Sequence, residues 1–136
     1  MSYPATLTVL IADSDRVHQQ RVADCLRSRF HILMARTKAE MMDVIARSRP
    51  QILLLELDMP DGDTLPLIHK LRQEPNTRNM IIACVTHRSS IQNKVTGFQA
   101  GAEDYIVKPI NPETFLWRVL LLPRLRQLAQ RGTQHI

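Results

Sequence analysis

Five short apolar segments alternate along this chain with five longer segments of helical spacing, and this order limits the possible folds. The apolar segments occupy residues 8–12, 30–35, 52–57, 80–86 and 105–107. The third opens with four consecutive apolar residues, Ile52 to Leu55, as is typical of a strand covered on both faces of a parallel sheet. The alternation predicts an α/β fold, in which a doubly wound, five-stranded parallel sheet is flanked by five helices with right-handed crossovers.

The helical segments carry start and stop signals at their ends. They are expected over residues 16–29, 38–49, 64–71, 89–100 and 112–122. Thr37 and Glu40 have the spacing of a capping box at the start of the second helix. Other expected signals are Asp15 as a cap or first-turn acid, Asp63 as a cap, Gly101 as a helix end, and Asn111 before proline as a helix start.

The composition is that of an ordinary globular protein. The length of 136 residues suits one domain, and 44% of the residues are hydrophobic and 23% charged. No apolar run approaches the ~20 residues that a membrane-spanning helix needs. The N-terminus, Met1 to Pro4, has no basic flank before an apolar stretch, so a signal peptide is not expected. We therefore expect a cytoplasmic protein without membrane contact.

Cysteine and histidine residues show no spacing typical of a metal site. Cys25 and Cys84 each lie in an apolar segment, which favours reduced, buried thiols over a disulfide. No common ligand spacing relates the five histidines, which are His18, His31, His69, His87 and His135.

The formal net charge of +5 raises the question of nucleic-acid binding. The basic excess is spread out, and residues 51–75 are net acidic. In the last segment four arginines face only one acid, Glu113; they are Arg118, Arg124, Arg126 and Arg131. Because interleaved aromatic residues are missing, a solvated basic surface is favoured, and nucleic-acid binding is kept as a weaker alternative.

Four polar residues stand at the carboxyl ends of predicted strands, where the functional crevice of such a sheet lies. They are Asp13, Glu56, Thr86 and Lys108. Phosphoryl transfer to a carboxylate needs these residue types: a carboxylate that attacks, further carboxylates that hold a divalent cation, a lysine that adds positive charge, and a hydroxyl that contacts the product.

Four motifs in register resemble the receiver domain of bacterial response regulators. They are IADSD at 11–15, LELDMP at 55–60, VT at 85–86 and DYIVKP at 104–109. The resemblance covers residues 1–122 and implies the flavodoxin-like fold, with residues 123–136 as a C-terminal helical extension or linker. It also implies a signalling role in a two-component system rather than an enzyme.

The resemblance implies a role for each matching residue. Glu56 takes the phosphoacceptor position, Asp13 and Ser14 the acidic pair, and Asp58 the position whose backbone carbonyl binds the metal. Thr86 and Tyr105 match the switch residues, and Lys108 the family's lysine, with a cis peptide bond before Pro109. Any Mg²⁺ site is expected to be weak, formed by Asp13, Glu56 and Asp58, and no other cofactor is expected.

Two departures from the family pattern affect the acidic pocket. The family has aspartate where Glu56 stands, and a second acid where Ser14 stands. Loss of one carboxylate weakens a site for a hard cation, and the longer Glu56 side chain enters the space of the incoming phosphoryl group. We expect an ion pair between Glu56 and Lys108, and a receiver that acts by protein contact without phosphorylation. The alternative is a receiver that accepts a phosphoryl group from a histidine kinase at Glu56 or Asp58.

The partner is expected to be a protein: a histidine kinase, an output domain or a second copy of the chain. In the family, the face formed by the fourth helix, fifth strand and fifth helix carries the output. Here that face would include Lys94, Tyr105, Trp117 and Arg118. Trp117 is read as a core or interface residue, and Pro123 is expected to kink or restart the helix beyond it.

Overall fold

The computed structural model describes residues 6–134, and the side chains as far as residue 131. The segment from Met1 to Pro4, on which the signal-peptide prediction rests, lies outside the described residues, as does His135. The strands are β1 (Thr8–Ala12), β2 (His31–Ala35), β3 (Ile52–Leu55), β4 (Asp58–Met59), β5 (Gly62–Asp63), β6 (Ile81–Thr86) and β7 (Asp104–Val107). The helices are α1 (Arg16–Leu26), α2 (Lys38–Ser48), α3 (Leu65–Gln73), α4 (Ile91–Ala100) and α5 (Pro112–Gln134).

Five strands form one parallel sheet in the order β2-β1-β3-β6-β7, which confirms the predicted α/β fold. Alternate residues of β3 pack into separate hydrophobic clusters on the two faces of the sheet. Leu53 and Leu55 face the cluster under α2 and α3, whereas Ile52 and Leu54 face the cluster under α1 and α5. This double burial explains the unbroken apolar run at the centre of the chain. None of the described helices is long and apolar enough to cross a membrane.

Two of the expected helix caps are formed as predicted: Asp15 and Thr37 each accept a backbone N–H of the first turn of α1 and α2. Ser90, for which no cap was predicted, does the same for α4. For α3 the cap position is Thr64, although its hydroxyl makes no capping bond. That hydroxyl donates instead to the Glu56 carbonyl at 2.8 Å, and Asp63 accepts the Leu65 N–H. The Thr64 hydroxyl therefore bonds to the main chain of Glu56 instead of capping α3.

Several predicted boundaries are wrong. Strand β3 ends at Leu55 rather than at residue 57, and helix α4 begins at Ile91 rather than near residue 89. Helix α1 ends at Leu26 rather than at residue 29. Helix α5 continues through Pro123 as one element, so it neither ends near residue 122 nor restarts there, while the alternative of a kink at Pro123 stays a prediction. Pro123 is buried beside Leu122, and packing of this segment against the domain offsets the hydrogen bond that proline removes. The division of the chain at residue 122 stays a prediction.

Candidate functional site

Three charged side chains from separate strand ends meet in a buried cluster at the carboxyl edge of the sheet. Asp13 follows β1, Glu56 follows β3, and Lys108 follows β7. The Lys108 Nζ atom lies 2.7 Å from Asp13 Oδ2 and 2.8 Å from Glu56 Oε1. All three residues are at most 6% exposed, so the attraction between them is only weakly screened by water. The sequence-based expectation of a Glu56–Lys108 ion pair matches this geometry.

Asp13 also forms hydrogen bonds with residues at the start of α1. His18, in the first turn of α1, places Nδ1 3.2 Å from Asp13 Oδ2, and the Asp15 N–H donates to Oδ1 at 3.0 Å. Burial works to raise the pKa of Asp13, but the bonds from His18, Lys108 and the Asp15 backbone together hold it below its usual value. The carboxylate of Asp13 is therefore kept ionised.

The contacts that lower the pKa of Asp13 have the opposite effect on the pKa of Lys108. Burial works to lower its pKa, yet hydrogen bonds and charge attraction from Asp13 and Glu56 raise the pKa above its usual value. The ammonium group thus stays charged between two carboxylates. The cluster therefore places two carboxyl side chains, Asp13 and Glu56, against the single ammonium group of Lys108.

Both carboxylate oxygens of Glu56 are engaged. Oε1 accepts from Lys108, and Oε2 accepts the Asp58 N–H at 3.2 Å. The main-chain carbonyl of Glu56 is also fixed, by the Thr64 hydroxyl. The side chain is therefore held in one position by groups from β7, from its own loop and from the start of α3.

A short acidic hairpin beside the pocket is a feature that the sequence reading did not predict. Strands β4 and β5 pair antiparallel around Pro60 and Asp61. Asp61 accepts the backbone N–H groups of Lys38 and Ala39 at the start of α2, at 2.8 and 3.2 Å. These bonds lower the pKa of Asp61 and favour its charged form at a helix N-terminus.

Arg88, in the loop after β6, binds the acidic hairpin through its side chain. Its guanidinium donates to both carboxylate oxygens of Asp58, with Nε–oxygen distances of 3.1 Å, and lies 3.4 Å from Asp63. The hydrogen bond from Arg88 is the main cause of the lowered pKa of Asp58. The carboxylate of Asp58 therefore points to Arg88 and is not part of the Asp13–Glu56–Lys108 cluster.

The two predicted switch residues lie next to this loop. Thr86 is fully buried, and its hydroxyl accepts the Arg88 N–H at 3.4 Å. Tyr105 is buried as well, and its hydroxyl donates to the Arg88 carbonyl at 2.8 Å. Arg88 thus joins the hairpin, Thr86 and Tyr105 through its side chain and its backbone.

Gly97 in α4 makes room for the inward ring of Tyr105. A Cβ atom at this position would lie 2.9 Å from Tyr105 Cδ2, which is closer than normal van der Waals contact. Alanine for glycine inside a helix ordinarily stabilises by about 0.5–1 kcal/mol. We expect Gly97→Ala instead to lower the free energy of unfolding by about 1–2 kcal/mol, because the ring must move.

Urea unfolding followed by circular dichroism measures this effect. The control is the same substitution in a Tyr105→Ala background, where the added methyl group has space and the ordinary gain of alanine returns. A stabilising Gly97→Ala in the natural background would contradict the close approach of ring and helix.

The residues of the pocket do not fit the Mg²⁺ ion that the family resemblance implies. Ser14 lies exposed at the rim and supplies no carboxylate. Each oxygen of Asp13 and Glu56 already accepts a hydrogen bond from the protein, and the Asp58 carboxylate is held by Arg88. Within residues 6–134, no group of three or more acids, histidines or cysteines is placed to hold a metal ion. A hard cation would have to displace Lys108 before it found charged ligands.

The sequence reading brought together most of this site but missed two contributors. His18 appeared only as a histidine without ligand spacing, and Arg88 was not considered. Their signals were present, since His18 is five residues beyond Asp13 in the first turn of α1, and Arg88 is two residues beyond Thr86. Each residue lies a few positions beyond a strand end that contributes to the pocket, His18 beyond β1 and Arg88 beyond β6.

Comparison with known proteins identifies the class to which this fold and this pocket belong. The chain belongs to the response regulator receiver domain family, whose model matches residues 9–120. It is therefore a receiver domain of the two-component signalling type, a class of signalling module that interacts with histidine kinases and output domains. The cis peptide bond between Lys108 and Pro109 agrees with the one that the resemblance implied.

Curated relatives include the response regulator MprA of Mycobacterium avium (strain 104), which is 32% identical over 126 residues. The alignment covers 92% of this chain and 52% of that protein, so the chain spans about half the length of the curated relatives it matches. The MprA protein of Mycobacterium bovis (strain BCG / Pasteur 1173P2) gives the same identity over 127 residues, covering 93% of this chain and 52% of that protein.

Solved structures show the same fold. A putative response regulator from Chloroflexus aurantiacus J-10-fl superimposes with a TM-score of 0.79 at 30% identity, covering 84% of this chain and 94% of that one. The signal receiver domain of a putative LuxO repressor protein from Vibrio parahaemolyticus gives a TM-score of 0.83 at 23% identity, covering 93% and 97%. Because its sequence identity is only 23%, the Vibrio parahaemolyticus structure supports the fold alone.

Proposed function

We propose that this chain is a pseudo-receiver, a receiver domain that signals by protein contact without stable phosphorylation. The observation that carries the proposal is the state of Glu56, whose two carboxylate oxygens are bound by Lys108 and by the Asp58 N–H. A nucleophile for phosphorus needs a free oxygen within about 3–3.5 Å of the phosphorus atom, in line with the leaving group. Each Glu56 oxygen accepts a protein hydrogen bond, so neither can turn towards phosphorus without giving up its donor.

The charge balance of the pocket supports the same proposal. A phosphoryl group adds negative charge, and a divalent cation ordinarily neutralises that charge. Here Lys108 pairs with both Asp13 and Glu56 and offsets one of their two charges, and Ser14 adds no further carboxylate that could help to hold a cation. The buried ion pairs hold the pocket in one arrangement, so the domain presents a fixed surface in place of a phosphorylation-dependent one.

The alternative acceptor, Asp58, is less suited to phosphoryl transfer. Its side chain is exposed, but Arg88 binds both carboxylate oxygens and keeps the group away from Lys108. Nucleic-acid binding is less favoured, because several arginines contact acids of the domain itself. Arg72 and Arg126 pair with Glu103, and Arg118 pairs with Asp104.

The proposed signalling face is the one that the family resemblance indicates, formed by α4, β7 and α5. Trp117 is 60% exposed, so the expectation of a core tryptophan is wrong and the expectation of a contact residue remains. Exposed tryptophan and leucine side chains close together are typical of contact surfaces. Tyr105 and Arg118 lie on the same side, where Arg118 pairs with Asp104 at 2.8 Å.

We expect no stable phosphoprotein when the chain is incubated with acetyl phosphate and Mg²⁺, because Glu56 lacks a free oxygen and the cation lacks ligands. Intact-mass spectrometry under conditions that preserve acyl phosphates measures the result. A phosphorylated species that disappears in Glu56→Gln would overturn the proposal. One that disappears in Asp58→Asn would favour the alternative acceptor.

A further inference from the structure

Helix α5 is apolar on two opposite faces. Phe115, Val119 and Leu122 are buried against the sheet, as a receiver helix requires. On the other side four large apolar side chains remain between 48% and 60% exposed. They form what we call the outer stripe: Trp117, Leu121, Leu125 and Leu128. At 3.6 residues per turn they fall within an arc of roughly 80° and extend over about 16 Å of helix.

The outer stripe is held in place by a contact from the opposite side of the helix. Arg126 donates to Glu103 Oε2 at 2.6 Å and to the Asn79 carbonyl at 3.0 Å. Glu103 also pairs with Arg72, whose guanidinium donates to the Gly101 carbonyl. Because this network fixes α5 beyond Pro123, Leu125 and Leu128 are presented on a rigid helix rather than on a loose end.

Every charged residue along the outer stripe is a cation. Arg118 flanks it on one side, and Arg124 and Arg131 flank it on the other, by the helical spacing. The sequence has no acidic residue from position 114 to position 136. Arg118 is occupied by Asp104, whereas no described acid pairs with Arg124 or Arg131. Helix α4 also exposes apolar side chains, Ile91, Val95 and Phe98, and its only charged residue is Lys94.

This charge pattern decides between a second copy of the chain and a different partner. In a self-paired stripe, the arginines of each copy would face arginines of the other without a neighbouring carboxylate, which costs free energy. A partner with carboxylates around its own apolar residues satisfies both the leucines and the arginines. Three helical turns with anchors at i, i+4, i+8 and i+11 match the spacing of a facing amphipathic helix.

We propose that the outer stripe of α5 binds an acidic amphipathic helix of a partner protein. Leucine-type residues of that helix cover Trp117, Leu121, Leu125 and Leu128, while its carboxylates pair with Arg124 and Arg131. The inference names the partner class for the proposed signalling by protein contact, but it does not depend on the chemistry of Glu56.

The test uses the full 136-residue chain and three synthetic helical peptides. The first has leucines at matching positions and glutamates elsewhere, the second replaces the glutamates by lysines, and the third keeps the glutamates but replaces the leucines by serines. Trp117 is the only tryptophan, so its fluorescence reports directly on docking. We expect the acidic leucine peptide to shift this emission to the blue and to bind at least ~10-fold more tightly than the other two.

Two matched variants locate the binding. Reversing both flanking charges, Arg124→Glu with Arg131→Glu, is expected to weaken the acidic peptide about 10-fold and to reverse the preference towards the lysine peptide. Arg29→Glu with Lys70→Glu makes the same change in net charge on other exposed residues, and it should alter binding less than ~2-fold. Leu125→Ser should abolish the blue shift, whereas Val17→Ser, an exposed apolar residue of α1, should not.

Several results would overturn the inference. They are equal binding of the acidic and lysine peptides, an equal effect of the remote charge reversal, and no saturable binding below about 1 mM. Sedimentation that shows a dimer lost in Leu125→Ser would assign the stripe to a second copy. Tighter binding to anionic than to neutral phospholipid vesicles, with loss in Leu125→Ser and no peptide binding, would assign it to a membrane. A phosphorylated Glu56 with intact peptide binding would overturn only the pseudo-receiver proposal.

Discussion

Replacing Lys108 by methionine is expected to lower the free energy of unfolding by about 3–5 kcal/mol, because it leaves buried charges without a partner. Methionine fills the space of the lysine stem but cannot donate to Asp13 and Glu56, which both bond to Nζ within 2.8 Å. The two carboxylates would then repel each other in a pocket with little water. Domains of this size have about 5–15 kcal/mol of stability, so the variant should still fold.

The pH dependence of this loss has a definite sign. The pKa of Asp13 is lowered in the folded chain, so its stabilising contribution is present above the unfolded value of about 3.9 and is lost as the pH falls further. The pKa of Lys108 is raised, so its contribution is complete throughout the acidic and neutral range. The difference between the natural chain and Lys108→Met should therefore be largest near pH 7 and shrink below about pH 4.

Urea unfolding of both proteins at pH 7 and at about pH 3, below the unfolded pKa of aspartate, measures these differences. Lys70→Met, at an exposed position of α3, is the matched control and should change stability by less than about 0.5 kcal/mol. A double-mutant cycle with Glu56→Gln separates the Glu56 partner from Asp13, since residues in one network do not behave additively. A loss below about 1 kcal/mol at pH 7 would contradict the view that Lys108 holds the pocket together.

The strand-end residues could be predicted because they depend on topology alone. Once five strands are known to be parallel, Asp13, Glu56 and Lys108 must reach the same edge, and the four family motifs fix their register. The Glu56–Lys108 contact follows in the same way, since two opposite charges at a buried edge must satisfy each other.

The residues that surround the cluster could not be predicted as readily. His18 and Arg88 act through side-chain directions set by the packing of α1 and of the loop after β6. The acidic hairpin β4–β5 has only two residues in each strand, too few for an alternating pattern. The sequence left a kink or a restart open at Pro123, and the continuous helix agrees with tertiary contacts of Leu122 and Arg126 that outweigh a local helix-breaking preference.

Restoring the two missing features of the pocket is expected to produce a phosphorylatable protein. In the variant Glu56→Asp with Ser14→Asp, the acceptor carboxylate withdraws by one carbon–carbon bond of about 1.5 Å. This shortening should free an oxygen from Lys108 and clear space for the phosphoryl group. The aspartate introduced in place of Ser14, at an exposed rim position, adds the carboxylate that a hard cation requires.

The expected gain is large, because a displacement of about 1 Å in a reacting group alone costs on the order of 100-fold in rate. With acetyl phosphate and Mg²⁺, the double variant should acquire the mass of one phosphoryl group at least ~100-fold faster than the natural chain. Glu56→Asp alone should react more slowly, and Ser14→Asp alone should not react, because the engaged Glu56 remains. Glu56→Asn with Ser14→Asp is the matched control, since it keeps the new ligand and removes the acceptor.

The double variant also tests whether two substitutions suffice to explain the inactive pocket. If it binds Mg²⁺ but stays unphosphorylated, the remaining block lies in the groups that the sequence reading missed. His18 Nδ1 and Lys108 both bond to Asp13 Oδ2, the oxygen that would have to turn towards a metal. Adding His18→Leu would then remove one of these bonds, and recovery of phosphorylation in the triple variant would assign the block to His18. Failure of that variant as well would refute the explanation of the pocket's inactivity by local geometry.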